Sequence, residues 1–303
     1  MAEKDRNFKI GIIGLGMVGE PLLRWFKERG HKLGTDLFCY DIDPIKSYTD
    51  DCNLADIIFI AVPTPSNPDG SCNVSFVENI AESLGGEKII VIKSTVPPGT
   101  TERLQKRFPQ HKFLFNPEFL TESQAWEDFL KPVRQIVGYT DRSKDAAFAV
   151  LNILPVSYYQ SPWIYSTYKF RGHTATEAEI IKYASNVFGA IKVSFGNMIF
   201  DVCAGVSASE GAEADYENIR DALGADPRIG PAWLDVNHGS YRGFGGYCFP
   251  KDLKAFIKFV SELTEKETHL FEILCFLSDV WDYNDTLLKR QNLTVDDVSR
   301  HSR

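Results

Sequence analysis

The sequence lacks several features that would point to particular classes of protein. It has no excess of positive charge, since 33 lysines and arginines stand against 41 aspartates and glutamates and the formal net charge is −8. This balance argues against a nucleic-acid partner, because nucleic-acid-binding proteins present basic surfaces. No apolar run approaches the roughly 18 residues of a membrane helix, and no apolar core follows the charged first six residues. We therefore expect neither a membrane partner nor a secretory signal.

The six cysteines form no Cys-x-x-Cys pair, and no repeat or low-complexity tract is visible. A disulfide framework and a metal site are therefore not expected, and a reducing cytoplasm is the expected location. The chain has 303 residues, of which 44% are hydrophobic and 24% charged. That length and composition are typical of a globular protein with two ordinary domains and a substantial core.

The first half of the chain alternates β-branched runs with a helical pattern. Short apolar runs bounded by turn residues predict strands, and the apolar spacing after the first run predicts a helix over residues 17–29. This alternation predicts a Rossmann-like, doubly wound parallel sheet in a first domain over residues 1–170. The predicted strands are 8–14, 37–40, 57–62 and 89–92, with 113–115 and 135–138 as later strands of the same sheet.

The pattern changes after about Lys169. Thr174 or Thr176 can cap a helix, each with a glutamate three residues later, Glu177 or Glu179, to complete a capping box. Apolar residues then recur at helical spacing as far as residue 202, which predicts one helix of roughly 30 residues. The rest of the chain reads as helices and loops. We therefore predict an all-helical second domain over residues 171–303, built around one long central helix.

A glycine motif after the first predicted strand indicates a dinucleotide site. Gly14, Gly16 and Gly19 fit G-x-G-x-x-G, with Met17 and Val18 between them. The glycines permit a tight turn and a close approach of the pyrophosphate to the helix start. Asp41, at the end of the second predicted strand, is placed to bind the ribose hydroxyls and to repel a 2′-phosphate, so NAD is favoured over NADP. The alternative is a tight structural turn with a surface aspartate.

Two Thr-containing segments each follow a predicted strand. They contain Pro63 and Thr64 in one case and Ser94 and Thr95 in the other. The carboxyl ends of parallel strands line the ligand crevice of such a sheet, so these residues are placed to touch cofactor or substrate. Threonine and proline also form ordinary turns, and position alone does not separate the two readings.

The segment 243–252 combines three glycines with a cysteine, a proline and an aspartate. Pro250 suits the first turn of a helix, which places Cys248 just before the helix amino end, where the dipole favours a thiolate. Asp252 lies one turn further on the same face. A single cysteine is more often a small core residue. The surrounding glycines, proline and acid favour a catalytic role instead.

These residues resemble the motifs of the UDP-glucose/GDP-mannose dehydrogenase family, which occur here in the family's order from residue 8 to about residue 290. The resemblance covers two of the family's three domains, and the C-terminal nucleotide-sugar-binding domain is not matched. A natural short enzyme, one part of a split enzyme and a truncated chain are all open. The matching stretches are 62–70, 115–122, 182–186, 226–230 and 243–252.

The resemblance implies a role for each matching residue. Cys248 is the implied nucleophile, and Lys182 and Asn186 hold the reacting oxygen. Asp252 positions these groups or a water. Glu122 is the implied carboxylate for thioester hydrolysis, with Glu118 and Thr95 as its polar surroundings. Further implied contacts are Lys46 and Lys251 for the cofactor, and Phe119, Leu120, Asn197, Arg228, Phe244 and Gly245 for the substrate, together with Lys182 and Asn186.

The resemblance implies an NAD-dependent, four-electron oxidation of a nucleotide sugar through a thiohemiacetal and a thioester on Cys248. UDP-glucose is the favoured substrate, with UDP-N-acetylhexosamine and GDP-mannose as alternatives, and polysaccharide biosynthesis is the implied setting. A homodimer built on the long helix is also implied. Two other readings are a catalytically weak NAD-binding protein that needs a partner for the missing domain, and a two-domain hydroxyacid dehydrogenase. The latter class needs no thiol nucleophile, so Cys248 argues against it.

Overall fold

The computed structural model describes residues 8–165, 169–237 and 240–299. The strands are β1 Ile10–Ile13, β2 Leu37–Tyr40, β3 Ile57–Ile60, β4 Ile89–Ile92, β5 Lys112–Phe115, β6 Arg134–Ile136, β7 Gly138–Tyr139, β8 Tyr159–Ser161, β9 Trp163–Tyr165 and β10 Lys169–Arg171. The helices are α1 Gly19–Glu28, α2 Ser75–Ser83, α3 Thr100–Arg107, α4 Ala125–Leu130, α5 Ala147–Ile153, α6 Ala175–Glu210, α7 Tyr216–Ala225, α8 Phe249–Thr264, α9 Phe271–Lys289 and α10 Val295–Val298.

A six-stranded sheet in the order β2-β1-β3-β4-β5-β7 forms the centre of the first half. The pairs from β2 to β5 are parallel, and β7 joins β5 in antiparallel orientation. β1 and β3 are buried along their whole length, which explains why they read as continuous apolar runs rather than alternating ones. The predicted Rossmann-like architecture is confirmed, and the bounds of β2 and β4 are those predicted.

The prediction of one strand over residues 135–138 is wrong. β6 pairs with β8 in a separate two-stranded sheet, whereas Gly138 and Tyr139 return to the main sheet as β7. Gly138 approaches the start of α6 closely. A Cβ atom on Gly138 would lie 2.6 Å from the Ala178 Cβ and 2.8 Å from the Thr174 carbonyl oxygen. This contact is tertiary, so hydrophobic periodicity does not reveal it.

The chain divides into two compact units. One extends to Pro65 and resumes from Cys72 to Lys182, and the other comprises Ser66–Ser71 and the chain from Tyr183 onwards. Within the described residues after 182, every regular element is helical. The sequence placed the domain boundary at residue 170, ahead of α6, and that boundary stays a prediction.

The long helix α6 spans 36 residues, somewhat more than the predicted 30. Thr174 is the capping residue that the sequence left open between two threonines. Its backbone N–H donates to the Glu177 carboxylate at 2.7 Å, and its hydroxyl accepts from the Glu177 N–H at 3.2 Å. These reciprocal bonds form a capping box, which fixes where the helix begins.

α6 is also long and apolar enough to cross a membrane, judged by length and composition, with a mean hydropathy of 1.4 over an 18-residue window. The sequence was judged on uninterrupted apolar runs, so the expectation of no membrane partner stays a prediction. A core helix inside a protein passes the same test, and 44% of this window is buried.

Candidate functional site

The glycine motif forms the turn between β1 and α1. Gly14 has a φ of +89°, and a Cβ on Gly19 would lie 1.9 Å from the Gly14 carbonyl oxygen. Both positions therefore require glycine for the fold itself. A Cβ on Gly16 would meet nothing within 4 Å, so this glycine leaves open space at the start of the helix. Open space beside backbone N–H groups fits the predicted pyrophosphate site, where Met17 and Val18 stay predicted contacts.

Asp41 follows β2 and is fastened to this turn. One carboxylate oxygen accepts from the Leu15 N–H at 2.6 Å and from Lys46 Nζ at 3.1 Å, and the other accepts from the Asp43 N–H at 2.9 Å. Burial alone would raise the pKa of Asp41, but these hydrogen bonds outweigh it and hold the pKa below its ordinary value. The ionised carboxylate fits the ribose hydroxyls of NAD and disfavours an added phosphate. Lys46 also donates to the Leu15 carbonyl oxygen at 2.8 Å.

The loops after β3 and β4 are tied to each other through hydroxyl groups. Thr64 Oγ1 donates to the Thr95 carbonyl oxygen at 2.8 Å, and Ser94 Oγ donates to the Val62 carbonyl oxygen at 2.7 Å. Thr64 and Ser94 are buried, whereas Pro63 is exposed. These bonds fix the edge of the sheet at the carboxyl ends of its strands. The cofactor contacts assigned to these residues stay predictions.

Two oppositely charged side chains meet in the interior of the first unit. Lys182 Nζ donates to one oxygen of Glu118 at 2.6 Å, and the other oxygen accepts from the Leu120 N–H at 2.8 Å. Their side chains are only 4% and 8% exposed. A buried pair of this kind is weak support for stability, because desolvation opposes the attraction. Placement after a sheet strand makes it a candidate for chemistry instead.

Other predicted residues lie around this pair. The Phe119 ring faces the Arg134 guanidinium at 3.7 Å and Lys182 Nζ at 5.8 Å. Glu122, to which thioester hydrolysis was assigned, is exposed in a short 3-10 helix, Glu122–Gln124. The structure thus brings Glu118 to Lys182.

In the second unit, Cys248 lies directly before α8, as predicted, and is half-buried. Its carbonyl oxygen accepts from the Asp252 N–H at 2.9 Å. The Asp252 carboxylate is 1% exposed and accepts from Asn186 Nδ2 and from Lys251 Nζ, each at 2.5 Å. The predicted grouping of Asn186 and Asp252 next to the cysteine backbone is therefore present in the structure.

The loop that leads to Cys248 depends on a residue that the sequence did not single out. Asn284 Oδ1 accepts from the Phe244 N–H at 2.7 Å, and Asn284 Nδ2 donates to the Phe244 carbonyl oxygen at 3.0 Å. A Cβ on Gly243 would lie 2.6 Å from Asn284 Oδ1, and one on Gly245 would lie 2.4 Å from the Tyr241 hydroxyl. The glycines therefore permit this packing. The only signal for Asn284 in the sequence was its place near the end of the region that resembles the family.

The remaining predicted substrate residues lie in different environments. Asn197 is fully buried, and its Oδ1 accepts from Arg242 Nε at 3.0 Å. Arg242 also donates to Asp201 at 2.7 Å. The sequence reasoning missed Arg242, although it borders the glycine-rich segment. Arg228 is paired with Asp226 and its side chain is 87% exposed.

The six cysteines differ sharply in their surroundings. Burial raises the pKa of Cys39 and of Cys52 to about 12, so both stay protonated near neutral pH. Cys72 and Cys203 are also buried, and Cys275 is exposed within α9. Cys248 is the cysteine that combines access to solvent with the start of a helix. In the described part of the chain, no group of three or more His, Cys, Asp or Glu residues is arranged to hold a metal.

The sheet, its glycine turn and the Asp41 carboxylate define a dinucleotide-binding protein of the dehydrogenase type. Comparison with known families makes this specific. Residues 45–153 match the NAD binding domain of the UDP-glucose/GDP-mannose dehydrogenase family, and residues 176–274 match the family's central domain. The chain belongs to this family, and the prediction of NAD as cofactor is confirmed.

Comparison with individual relatives shows what share of their length this chain covers. It is 35% identical to the Bacillus subtilis protein YtcA over 89% of this chain and 67% of the relative. It is 33% identical to the UDP-glucose 6-dehydrogenase of Rhizobium meliloti over 82% of this chain and 63% of the relative. The chain thus spans about two thirds of the length of these relatives, and less than half of the Pseudomonas aeruginosa UDP-glucose 6-dehydrogenase, at 44%.

Solved structures of dehydrogenases are also similar to this chain over most of its length. A UDP-glucose dehydrogenase from Pyrobaculum islandicum is 30% identical, with a TM-score of 0.69 over 93% of this chain and 71% of that one. A UDP-D-ManNAc dehydrogenase from Pyrococcus horikoshii shares the fold at 18% identity, with a TM-score of 0.66 over 94% and 72% of the two chains.

Proposed function

We propose that this protein oxidises the primary alcohol of a nucleotide sugar to a carboxylate, with Cys248 as the nucleophile. The observation that carries the proposal is the position of Cys248, half-buried at the start of α8, close to the buried Asp252 carboxylate and its partners Asn186 and Lys251. A helix amino end stabilises a thiolate, which is the reactive form. The Asn186 amide and the Lys251 ammonium hold the buried Asp252 carboxylate at the same helix start.

The chemistry balances over four electrons. Bound NAD supplies the acceptor for each of two hydrides. After the first oxidation, the Cys248 thiolate adds to the aldehyde carbon and forms a C–S bond. Loss of the second hydride from this thiohemiacetal leaves a thioester on Cys248. Water then attacks the thioester carbon, the C–S bond breaks, and the acid and the Cys248 thiolate are released.

Each tetrahedral stage places negative charge on the reacting oxygen, and we assign its stabilisation to Lys182 with Asn186. Glu122 is the assigned base for the hydrolytic water, as the family resemblance implies. Glu118 is the second candidate, because it contacts Lys182 directly. Glu122 is exposed, whereas Glu118 is buried and paired with Lys182. Substituting each glutamate in turn shows which of the two acts as the base.

UDP-glucose is the proposed substrate, because a relative that matches 82% of this chain is named UDP-glucose 6-dehydrogenase. UDP-N-acetylhexosamine and GDP-mannose are the alternatives, and polysaccharide synthesis is the proposed use of the acid. A second candidate function is NAD binding with little catalysis unless another polypeptide contributes to the substrate site. This candidate is kept because the chain matches only 63% of the length of the Rhizobium meliloti UDP-glucose 6-dehydrogenase. A cytoplasmic location is proposed because all six cysteines are thiols.

The decisive experiment counts products in Cys248→Ser. The unaltered protein should form two NADH per UDP-glucose consumed. Cys248→Ser should form no acid, because a serine hydroxyl stays protonated and is a far weaker nucleophile. Cys275→Ser, which alters an exposed thiol within α9, is the matched control and should behave like the unaltered protein.

Mass spectrometry identifies the base in the same experiment. The variant that lacks the hydrolytic base, Glu122→Gln or Glu118→Gln, should accumulate substrate mass on the peptide that carries Cys248. Acid formation by Cys248→Ser would refute the thioester route. Failure of the unaltered protein to reduce NAD with any of the three sugars would favour the second candidate function.

We also propose a homodimer built on α6. Within the second unit, large apolar side chains on this helix are exposed at intervals of seven and four residues, which places them on one face. Their exposed fractions lie between 37% and 58%: Phe188, Phe195, Val202 and Val206. A contiguous apolar face of this kind is covered when a second copy of the helix packs against it.

A further inference from the structure

Lys93 is buried directly after β4, at the carboxyl end of the strand, and only 4% of it is exposed. Its Nζ donates to Asn116 Oδ1 at 2.6 Å. The Asn116 Nδ2 group in turn donates to Gln135 Oε1 at 2.9 Å and to the Ile136 carbonyl oxygen at 2.6 Å. Because both of those partners are acceptors, the orientation of the amide is fixed. Its oxygen must face the Lys93 ammonium.

Two charged groups act on Lys93, namely Glu118 after β5 and Lys182 on α6. Burial lowers the pKa of Lys93 to about 8, Glu118 opposes this shift, and Lys182 adds to it. Glu118 already accepts from Lys182 at 2.6 Å. The cluster formed by Lys93, Glu118 and Lys182 therefore holds two lysines and one carboxylate. The cluster carries one net positive charge when Lys93 is protonated and none when it is neutral.

We propose that Lys93 is a positioning residue for the proposed oxidation, and that its proton sets the charge around Lys182. When Lys93 is protonated, its charge also attracts Glu118, so Glu118 holds Lys182 less strongly. The net positive cluster also stabilises negative charge that develops beside Lys182. Both effects favour an oxyanion at Lys182, because charges interact strongly where water is excluded. This inference rests on the proposed function, in which Lys182 stabilises the reacting oxygen.

The test compares two substitutions that fix the charge of residue 93. Lys93→Arg keeps a positive charge at every working pH. Lys93→Gln is neutral but retains an N–H donor for Asn116. We expect kcat of the unaltered protein for UDP-glucose oxidation to decline as the pH rises through about 8. Lys93→Arg should abolish that decline, and Lys93→Gln should lower kcat about tenfold at pH 7 and remove the pH dependence.

Lys112→Gln is the matched control, since Lys112 begins β5 and pairs with the exposed Asp145. A decline above pH 8 that persists in both Lys93 variants would overturn the proposal. Equal losses of kcat in both variants with an unchanged pH profile would also overturn it, because they indicate a purely structural role. Thermal unfolding confirms that the variants compared are folded.

A second measurement needs no activity. In protein labelled with 13C and 15N in its lysine side chains, the signal that disappears in Lys93→Gln should titrate near pH 8. Titration near the ordinary value of 10.5 would refute the inference and leave the proposed function intact. If that signal titrates near pH 8 but no acid forms, the proposed function fails and the charge of Lys93 is still established.

Discussion

Glu179 shows at the scale of one residue how burial and hydrogen bonding oppose each other. It is fully buried, and it caps the start of α3 from the side of α6. One carboxylate oxygen accepts from the Gly99 N–H at 2.5 Å, and the other accepts from the N–H and hydroxyl of Thr101 at 2.8 and 2.6 Å. Burial nevertheless dominates and raises the pKa of Glu179 from 4.5 to about 7. The sequence suggested this glutamate only as part of a capping box.

This pKa makes stability depend on pH. The folded protein keeps the proton of Glu179 at pH values where the unfolded chain has lost it, so stability falls as the pH rises from 4.5 to about 7. We expect Glu179 to lower the free energy of unfolding by about 2 kcal/mol between pH 5 and 7.5. Urea unfolding of Glu179→Gln at the two pH values should lack this fall.

The matched control is Glu177→Gln, because glutamine also completes a capping box and Glu177 is exposed. This variant should retain the fall in stability. A pH dependence that is identical in Glu179→Gln and in the unaltered protein would contradict the assignment.

At the scale of the element, glycines on α6 serve different purposes. A Cβ on Gly189 would lie 2.4 Å from a carbon at the tip of the Phe249 ring, which is the first residue of α8. A Cβ on Gly205, on the same helix, would meet nothing within 4 Å. Gly189 therefore sets how closely α8 packs against α6. Because Cys248 precedes Phe249, this packing also positions the proposed nucleophile.

We expect opposite effects from two identical substitutions. Gly205→Ala should stabilise the protein by about 0.5–1 kcal/mol, because alanine has the higher helix propensity. Gly189→Ala should destabilise it by about 1–3 kcal/mol, since the Phe249 ring must move, and should lower kcat as well. Thermal unfolding and steady-state rates measure both. Stabilisation by Gly189→Ala would show that the ring moves at no cost.

At the scale of the whole molecule, the exposed apolar face of α6 bears on the proposed assembly into a dimer. Phe195 is 41% exposed and lies near the middle of this face, between Phe188 and Val202. A charged side chain there would be buried without a partner in a dimer. It would be solvated in a monomer. The charged side chain therefore weakens association of the subunits and leaves the stability of each subunit largely unchanged. The fold of the subunit should persist.

We therefore expect Phe195→Glu to convert a dimer into a monomer at micromolar concentration, as measured by light scattering. Tyr158→Glu is the control, because Tyr158 is fully exposed and lies outside α6. It should leave the dimer intact. A monomeric mass for the unaltered protein would refute the dimer proposal.

The sequence by itself determined the features that depend on neighbours along the chain. The glycine turn, the carboxylate after β2, the long helix and the helix start after Cys248 each follow from local spacing and propensity. Only the tertiary structure decided that residues 135–138 divide between two sheets. It also decided that Glu118 meets Lys182 and that Asn284 anchors the loop before the cysteine. These outcomes depend on burial and on contacts between residues far apart in the chain. Such contacts also set the charge of interior groups, and no local sequence pattern encodes them.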